Sequence, residues 1–141
     1  MNKLGSYHDL VYHIVWATKN RLSLLTPEME SKLFPFFNKK CIELECILHA
    51  VNGTPDHVHL LVSAPPTKTL ADIVKNLKGS SSHFINKESG LGTALYWQDG
   101  YGAITIRSAE IPKVTRYLLN QKEHHTAGNL SDILERTKPV G

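Results

Sequence analysis

Asn52-Gly53-Thr54-Pro55-Asp56 constrains the fold of this chain more than any other segment. All five positions carry turn chemistry: a glycine, a proline, and polar side chains that bond their own backbone. On either side lies a short run of strand-forming residues, 46–52 and 57–63. Two such runs joined by so short a turn must pair antiparallel, as a hairpin.

The second run begins "HVHLLVS". Side chains alternate along a strand, so His57 and His59 share one face while Val58 and Leu60 point the other way, into a core. Two imidazoles on one face could hold one metal ion, and Asp56 could orient an imidazole from behind. The ordinary alternative is a pair of strand histidines hydrogen-bonded at a sheet edge. Two imidazoles rarely complete a metal site, so a third ligand has to come from elsewhere.

The other elements follow from pattern. Residues 10–18, "LVYHIVWAT", are rich in β-branched and aromatic types and predict a strand. Thr26-Pro27-Glu28 is a strong helix start, with Thr as cap and Pro in the first position. That helix should reach about Leu44, kinked or split at Pro35. Pro65-Pro66 ends the hairpin, and Thr69 caps a helix whose apolar positions are Leu70, Ile73, Val74, Leu77, Phe84 and Ile85. Gly79 and three serines should weaken its middle, where small residues would let a phosphate backbone approach. Residues 101–107 alternate as a further strand, with Tyr96-Trp97 adding a short one before it. Ser108 should cap a helix from about 109 to 125, with Ile111, Val114 and Leu118 as its buried stripe. Residues 126–141 suggest a loop, a short helix near 131–136 and a loose end. The order strand, helix, strand, strand, helix, strand, helix predicts an α+β fold. An antiparallel sheet with helices packed on it would form a ferredoxin-like or RNA-recognition-like core.

Composition sets the class. The chain has 141 residues, 41% of them hydrophobic and 21% charged, as expected of one globular domain spanning 1–141. No apolar run approaches the roughly 20 residues needed to cross a bilayer, and no basic-then-apolar leader opens the chain. The expected place is the cytoplasm, with no membrane partner. Cys41 and Cys46 match no zinc spacing and are expected to be reduced, packed thiols. A formal charge of +3 is compatible with a polyanion without demanding one.

On the last predicted helix, Tyr117 and Gln121 lie one turn apart and share a face at the edge of the apolar stripe. A helical tyrosine beside such a stripe usually packs. If this face meets the histidines, a hydroxyl nucleophile stands next to a cation that can polarise a phosphate. That is the outline of an enzyme cutting nucleic acid through a phosphotyrosine bond.

"YHIVWATKNR", "PDHVHLLV", "LKGSSSHFI", "WQDGYGAITI" and "RYLLNQKEHH" occur in the order and rough spacing of a known family. The chain resembles the single-tyrosine HUH transposases of the 200/605 insertion-sequence group, HUH meaning His-hydrophobic-His. The likeness covers about 7–125. It implies a homodimer that cuts and rejoins single-stranded DNA hairpins at the ends of a mobile element. It puts the family's histidine pair on His57 and His59, its nucleophile on Tyr117 and its third metal ligand on Gln121. It implies Mg2+ or Mn2+, a 5′-phosphotyrosine intermediate, no nucleotide cofactor, and a helix docked across the dimer. DNA phosphates would meet Lys19, Arg21, Lys75, Lys78, Ser80, Arg107 and Arg116. Asn20 departs from the family, which often carries an aromatic there, and Pro35 is unexpected in the first helix.

Two other functions compete. One is a related enzyme of the same chemistry acting on repeated extragenic palindromes. The other is a non-catalytic nucleic-acid-binding module on an RNA-recognition-like sheet. The latter would display aromatic pairs for base stacking, where the third strand instead shows histidines.

Overall fold

The computed structural model describes residues 8–120. Within them the order is β1 (Val11–Ala17), α1 (Pro27–Glu43), β2 (Ile47–Thr54), β3 (His57–Ser63), α2 (Leu70–Lys87), β4 (Gly102–Ile106) and α3 (Ile111–Leu119). The four strands make one antiparallel sheet in the order β2-β3-β1-β4. This is the expected α+β architecture.

β2 and β3 form the predicted hairpin, paired from Ile47↔Ser63 to Thr54↔His57, with an irregularity between Leu48 and Ala50. The strands run closer to the turn than the sequence suggests, so only Pro55 and Asp56 bridge them. β3 is central, between β2 and β1, and six of its seven residues are buried.

Alternation gives the sheet two different faces. Ile14, Trp16, Val58, Leu60 and Val62 point to one side, where α1 brings Met29, Leu33 and Phe37 and α2 brings Ile73, Leu77 and Ile85. This is the main core. Burying an aliphatic or aromatic side chain of this kind stabilises by roughly 1.5–3 kcal/mol. Val11, Ala50, Leu61 and Ile106 point to the other side and meet Val114 and Leu118 of α3. The third helix therefore covers the face opposite α1 and α2.

α1 starts as expected, with the Thr26 hydroxyl accepting from Met29 N at 3.1 Å. Pro35 neither splits nor ends it. Met29, Leu33, Phe37 and Cys41 are all buried at helical spacing, so packing outweighs the local defect. α2 likewise runs unbroken through Gly79 and the serines. Ser80, Ser81 and Ser82 return their hydroxyls to Asn76, Lys78 and Gly79 carbonyls one turn back. Ser81 is fully buried and accepts from Trp97 Nε1 at 3.0 Å. The small Ser81 admits the indole, while Gly79 is exposed with open space above it.

Trp97 belongs to no regular strand but makes an isolated bridge with Thr18. Ser108 does not cap α3. It sits in a 3-10 turn, Ser108–Glu110, with its hydroxyl on Asp9, and Glu110 is the residue before the α-helix. α3 ends at Leu119 with Asn120 as C-cap. The expected continuation to 125, Gln121 within it, and the tail 126–141 lie outside the described residues. Cys41 and Cys46 are free and buried, and burial pushes the Cys41 thiol up to about 12, so it is inert. Among the described residues no helix is long and apolar enough to cross a membrane.

Pro35 is exposed and cannot donate to the Ser31 carbonyl. Pro35→Ala should raise the unfolding free energy by about 1–3 kcal/mol, read as a higher urea midpoint. An unchanged or lower midpoint would show that the proline is matched to a local bend.

Candidate active site

The register assembles the site. β1 and β3 pair with Val15 opposite His59 and Ala17 opposite His57. Residues directly opposite share a face, so His57 and His59 project to the side that α3 covers. His57 is 5% exposed and His59 is fully buried, with ring centroids 5.0 Å apart. The expectation that Val58 and Leu60 face the core holds, since both are fully buried among α1 and α2 residues.

The end of β1 fastens the hairpin turn. Thr18 is buried; its backbone N–H donates to Asp56 O at 2.9 Å and its hydroxyl to Leu22 O at 2.6 Å. Asn20 and Arg21 then take left-handed conformations, φ 57° and 55°. That conformation suits asparagine, which gives the departure at position 20 a backbone reason. Asn20 N also donates to Gln98 Oε1 at 2.7 Å. The bend brings the Arg21 guanidinium to 3.2 Å from Asp56.

Asp56 in turn stands 2.8 Å from His57 Nδ1, and Thr54 Oγ1 lies 2.9 Å from the same nitrogen. Partial burial pulls the Asp56 carboxyl up, but the bonds and charge of His57 and Arg21 outweigh it and hold the net value below the usual range. Asp56 is therefore an ionised acceptor for His57 Nδ1–H. The sequence expectation for Asp56 is met geometrically.

His59 has an equivalent partner that the sequence reading missed. His13, on β1, is fully buried on the same face, with Nε2 3.0 Å from His59 Nδ1. Burial first, and the charge of His59 second, lower the His13 pKa to about 3. The signal was available: His13 is the one polar residue among Val11, His13, Val15 and Ala17, the residues of β1 on that face.

α3 is held over this face by apolar packing and by Asn52. Asn52, opposite His59 on β2, donates through Nδ2 to Leu118 O at 2.7 Å and Leu119 O at 3.3 Å. Sequence pattern places Asn52 where the second strand meets the turn and gives it no further role, yet it ties the C-terminal end of α3 to the level of the histidines. Tyr117, next to Leu118, thus lies on the histidine-bearing side. Its ring packs with the smaller apolar cluster, and its hydroxyl is buried with no hydrogen-bond partner among the described residues.

The residues fit a divalent cation. Asp56 engages His57 Nδ1 and His13 engages His59 Nδ1, a support that orients the Nε2 side of each ring for metal ligation. Among the described residues no third His, Cys, Asp or Glu joins them. A third ligand of another type is what the expectation for Gln121 supplies.

The basic residues fall into separate groups. Lys19 and Arg21 follow β1, at the sheet end that carries His57. Lys78 reaches the same end, but its ammonium is half-buried and donates to Gln98 O at 2.6 Å and Gly100 O at 3.0 Å. Burial, against the pull of Asp99, lowers its pKa. Lys75 and Ser80 line a groove with Leu44 and Lys68 on the α1–α2 side. Arg107 follows β4 at the opposite sheet end, beside Glu110, and Arg116 is exposed on α3.

The fold is thus a four-stranded antiparallel sheet with a buried, doubly supported histidine pair beneath a tyrosine-bearing helix. Residues 6–121 match the family model described as IS200-like transposase, and the chain belongs to that family. It is 30% identical to the ISDra2 transposase TnpA of Deinococcus radiodurans, over 84% of this chain and 89% of that one. It is 27% identical to the transposase for insertion sequence element IS200 of Salmonella typhimurium, over 86% and 83%. A crystal structure of a transposase from Deinococcus radiodurans superimposes with TM-score 0.66 at 30% identity, over 86% of this chain and 97% of that one. The REP-associated tyrosine transposase bound to a REP hairpin shares the fold, with TM-score 0.61 at 17% identity, over 88% and 74%.

Buried His13 makes the fold acid-sensitive. In the unfolded chain its imidazole protonates near 6.5, whereas in the folded chain it stays neutral to about 3. Between those values the unfolded state binds more protons. Stability is therefore full above the upper value and falls as pH drops, by about 1.4 kcal/mol per unit. In urea titrations of metal-free protein at pH 7 and pH 5, His13→Leu should lose about 2 kcal/mol less than the parent on acidification. Equal losses in both would place the acid sensitivity elsewhere.

Proposed function

We propose that this transposase cuts and rejoins single-stranded DNA at insertion-sequence ends through a 5′-phosphotyrosine on Tyr117. His57, His59 and Gln121 would hold the cation, Mg2+ or Mn2+. The observation that supports this best is the histidine pair itself: two rings on one strand face, each held through Nδ1, under the helix that carries Tyr117.

The chemistry follows from the groups. Phenols titrate near pH 10 and are poor nucleophiles at neutral pH without help. A divalent cation held by the two Nε2 atoms would polarise the oxygens of the scissile phosphate and offset the charge that develops on them. His57 is kept in its ligating tautomer by ionised Asp56, and Arg21 keeps Asp56 ionised and aimed. Tyr117 Oη attacks phosphorus and loses its proton to solvent. The P–O3′ bond breaks, and the 3′ oxygen leaves as a hydroxyl after taking up a proton. The new ester conserves the bond, so a 3′-hydroxyl from another strand can attack it and release the tyrosine. No nucleotide triphosphate is consumed.

In the described arrangement the Tyr117 hydroxyl is enclosed on its own chain. Attack requires α3 to leave that seat. A homodimer, the assembly the family implies, provides a second one, with α3 of each copy beside the histidines of the other. Lys19 and Arg21 flank the sheet end nearest the histidines and are the basic residues best placed to meet a phosphate backbone there. Arg107, at the far end, would contact a more distant part of the strand.

Tyr117→Phe should abolish a denaturation-resistant adduct with hairpin-bearing single strands in Mg2+, leave strand binding intact, and keep or raise stability, because it removes a buried hydroxyl that has no partner among the described residues. A persisting adduct would overturn the nucleophile assignment. His57→Ala with His59→Ala should be equally inactive. A mixture of this double variant with Tyr117→Phe should recover cleavage if the site is shared between copies. No recovery would place both halves of the site on one chain.

A further inference from the structure

We infer that His13 is a positioning residue for His59: it takes the hydrogen bond from His59 Nδ1 and so presents His59 Nε2 to the cation. This deepens the proposed function and rests on it. His13 is not itself a ligand. Its Nε2 points at His59 Nδ1, 3.0 Å away, with the rings tilted by 42°. Nitrogens sharing one cation would point at the cation and not at each other.

The surroundings of His13 make a purely structural role a poor account. On the strand face it occupies, its neighbours are Val11, Val15, Leu61 and Ile104. An aliphatic side chain would continue that surface. An imidazole there is fully removed from water, and its Nδ1 has no hydrogen-bond partner among the described residues. Such an orphan is destabilising. Among the described residues, the bond to His59 is the one hydrogen bond that this side chain makes and an aliphatic residue could not.

The bond also couples the tautomers of the two rings. For His59 to give the Nε2 lone pair to a cation, its proton must sit on Nδ1 and be donated to His13 Nε2. His13 then carries its own proton on Nδ1. In the opposite setting His13 Nε2–H donates to His59 Nδ1, and the His59 proton sits on Nε2, where it blocks ligation. No proton is gained or lost between the settings. A side chain at position 13 that accepts keeps the ligating setting available. One that cannot accept leaves His59 Nδ1–H buried without its partner.

The arrangement parallels the other half of the site. Asp56, on the turn, holds His57 through Nδ1, and His13, on the adjacent strand, holds His59 through Nδ1. The supports come from different elements, one partly exposed and charged, the other buried and neutral. Outer partners of ligating histidines typically change metal affinity tenfold to a hundredfold when removed.

The test is Mn2+ binding followed by electron paramagnetic resonance of free Mn2+, on full-length protein without DNA. His13→Leu should bind Mn2+ about 10- to 100-fold more weakly. His13→Gln, whose Oε1 can accept from His59 Nδ1–H, should recover most of the loss. Urea titrations at pH 7 should show His13→Leu and His13→Gln both cooperatively folded, so that the difference in Mn2+ affinity between them reads positioning and not support of the fold. In parent protein saturated with Mg2+, 15N spectra should show His59 protonated on Nδ1. Parent-like Mn2+ affinity in His13→Leu, together with loss in His59→Ala, would overturn the role of His13 alone. Parent-like affinity in both His57→Ala and His59→Ala would overturn the metal site itself. A His59 proton on Nε2 in the Mg2+-loaded protein would overturn the inference even if the leucine variant did not fold.

Discussion

Everything in this protein that bears on chemistry depends on burying β3 from both sides. A central strand has no solvent-facing side to spare, so each of its polar side chains must find a partner within the fold. Val58, Leu60 and Val62 meet this demand trivially, against α1 and α2. His57 and His59 do not, and the neighbouring elements are arranged around them. The turn supplies Asp56 and β2 supplies Thr54, while β1 supplies His13. The same constraint that stabilises the sheet fixes which ring nitrogen of each histidine is engaged.

α3 is positioned by the same logic at a larger scale. Its buried residues, Val114 and Leu118, close the smaller apolar cluster over Leu61 and Ala50. The carboxamide of Asn52 joins the carbonyl end of α3 to the strand beside His59. Helix ends leave carbonyls unsatisfied, and a buried asparagine is a fitting donor for them. The tyrosine side chain is carried into the apolar cluster, where its hydroxyl has no hydrogen-bond partner among the described residues. A seat that leaves a polar atom unsatisfied is one the helix can leave at less cost than a fully bonded one.

The charged surface shows why net charge was a weak guide. Lys78 and Arg21 both looked like phosphate contacts because they are basic and flank the right segments. In the fold, Lys78 secures Gly100 and Gln98 over α2, and Arg21 secures Asp56 behind His57. Each holds backbone or carboxylate, and of the two Arg21 stays exposed. Sign and location along the chain are sequence properties; what a charge faces is a tertiary one. The serine-rich middle of α2 repeats the lesson, since Ser81 turned inward to take the indole of Trp97.

The sequence by itself determined the hairpin, the strand and helix order, and the shared face of His57 and His59. Those follow from turn chemistry, β-branched runs and the two-residue period of a strand, all of which are local. It also carried Tyr117 on an amphipathic helix, because the three-to-four-residue spacing of Ile111, Val114 and Leu118 is local too. Only the tertiary structure decided that β1 lies next to β3 in a register that sets His13 beside His59. It also decided that Asn52 reaches α3 and that the end of β1 bends Arg21 back onto Asp56. Local periodicity cannot reach these pairings. Each joins residues dozens of positions apart, and which strand lies beside which is set by burial of the sheet as a whole.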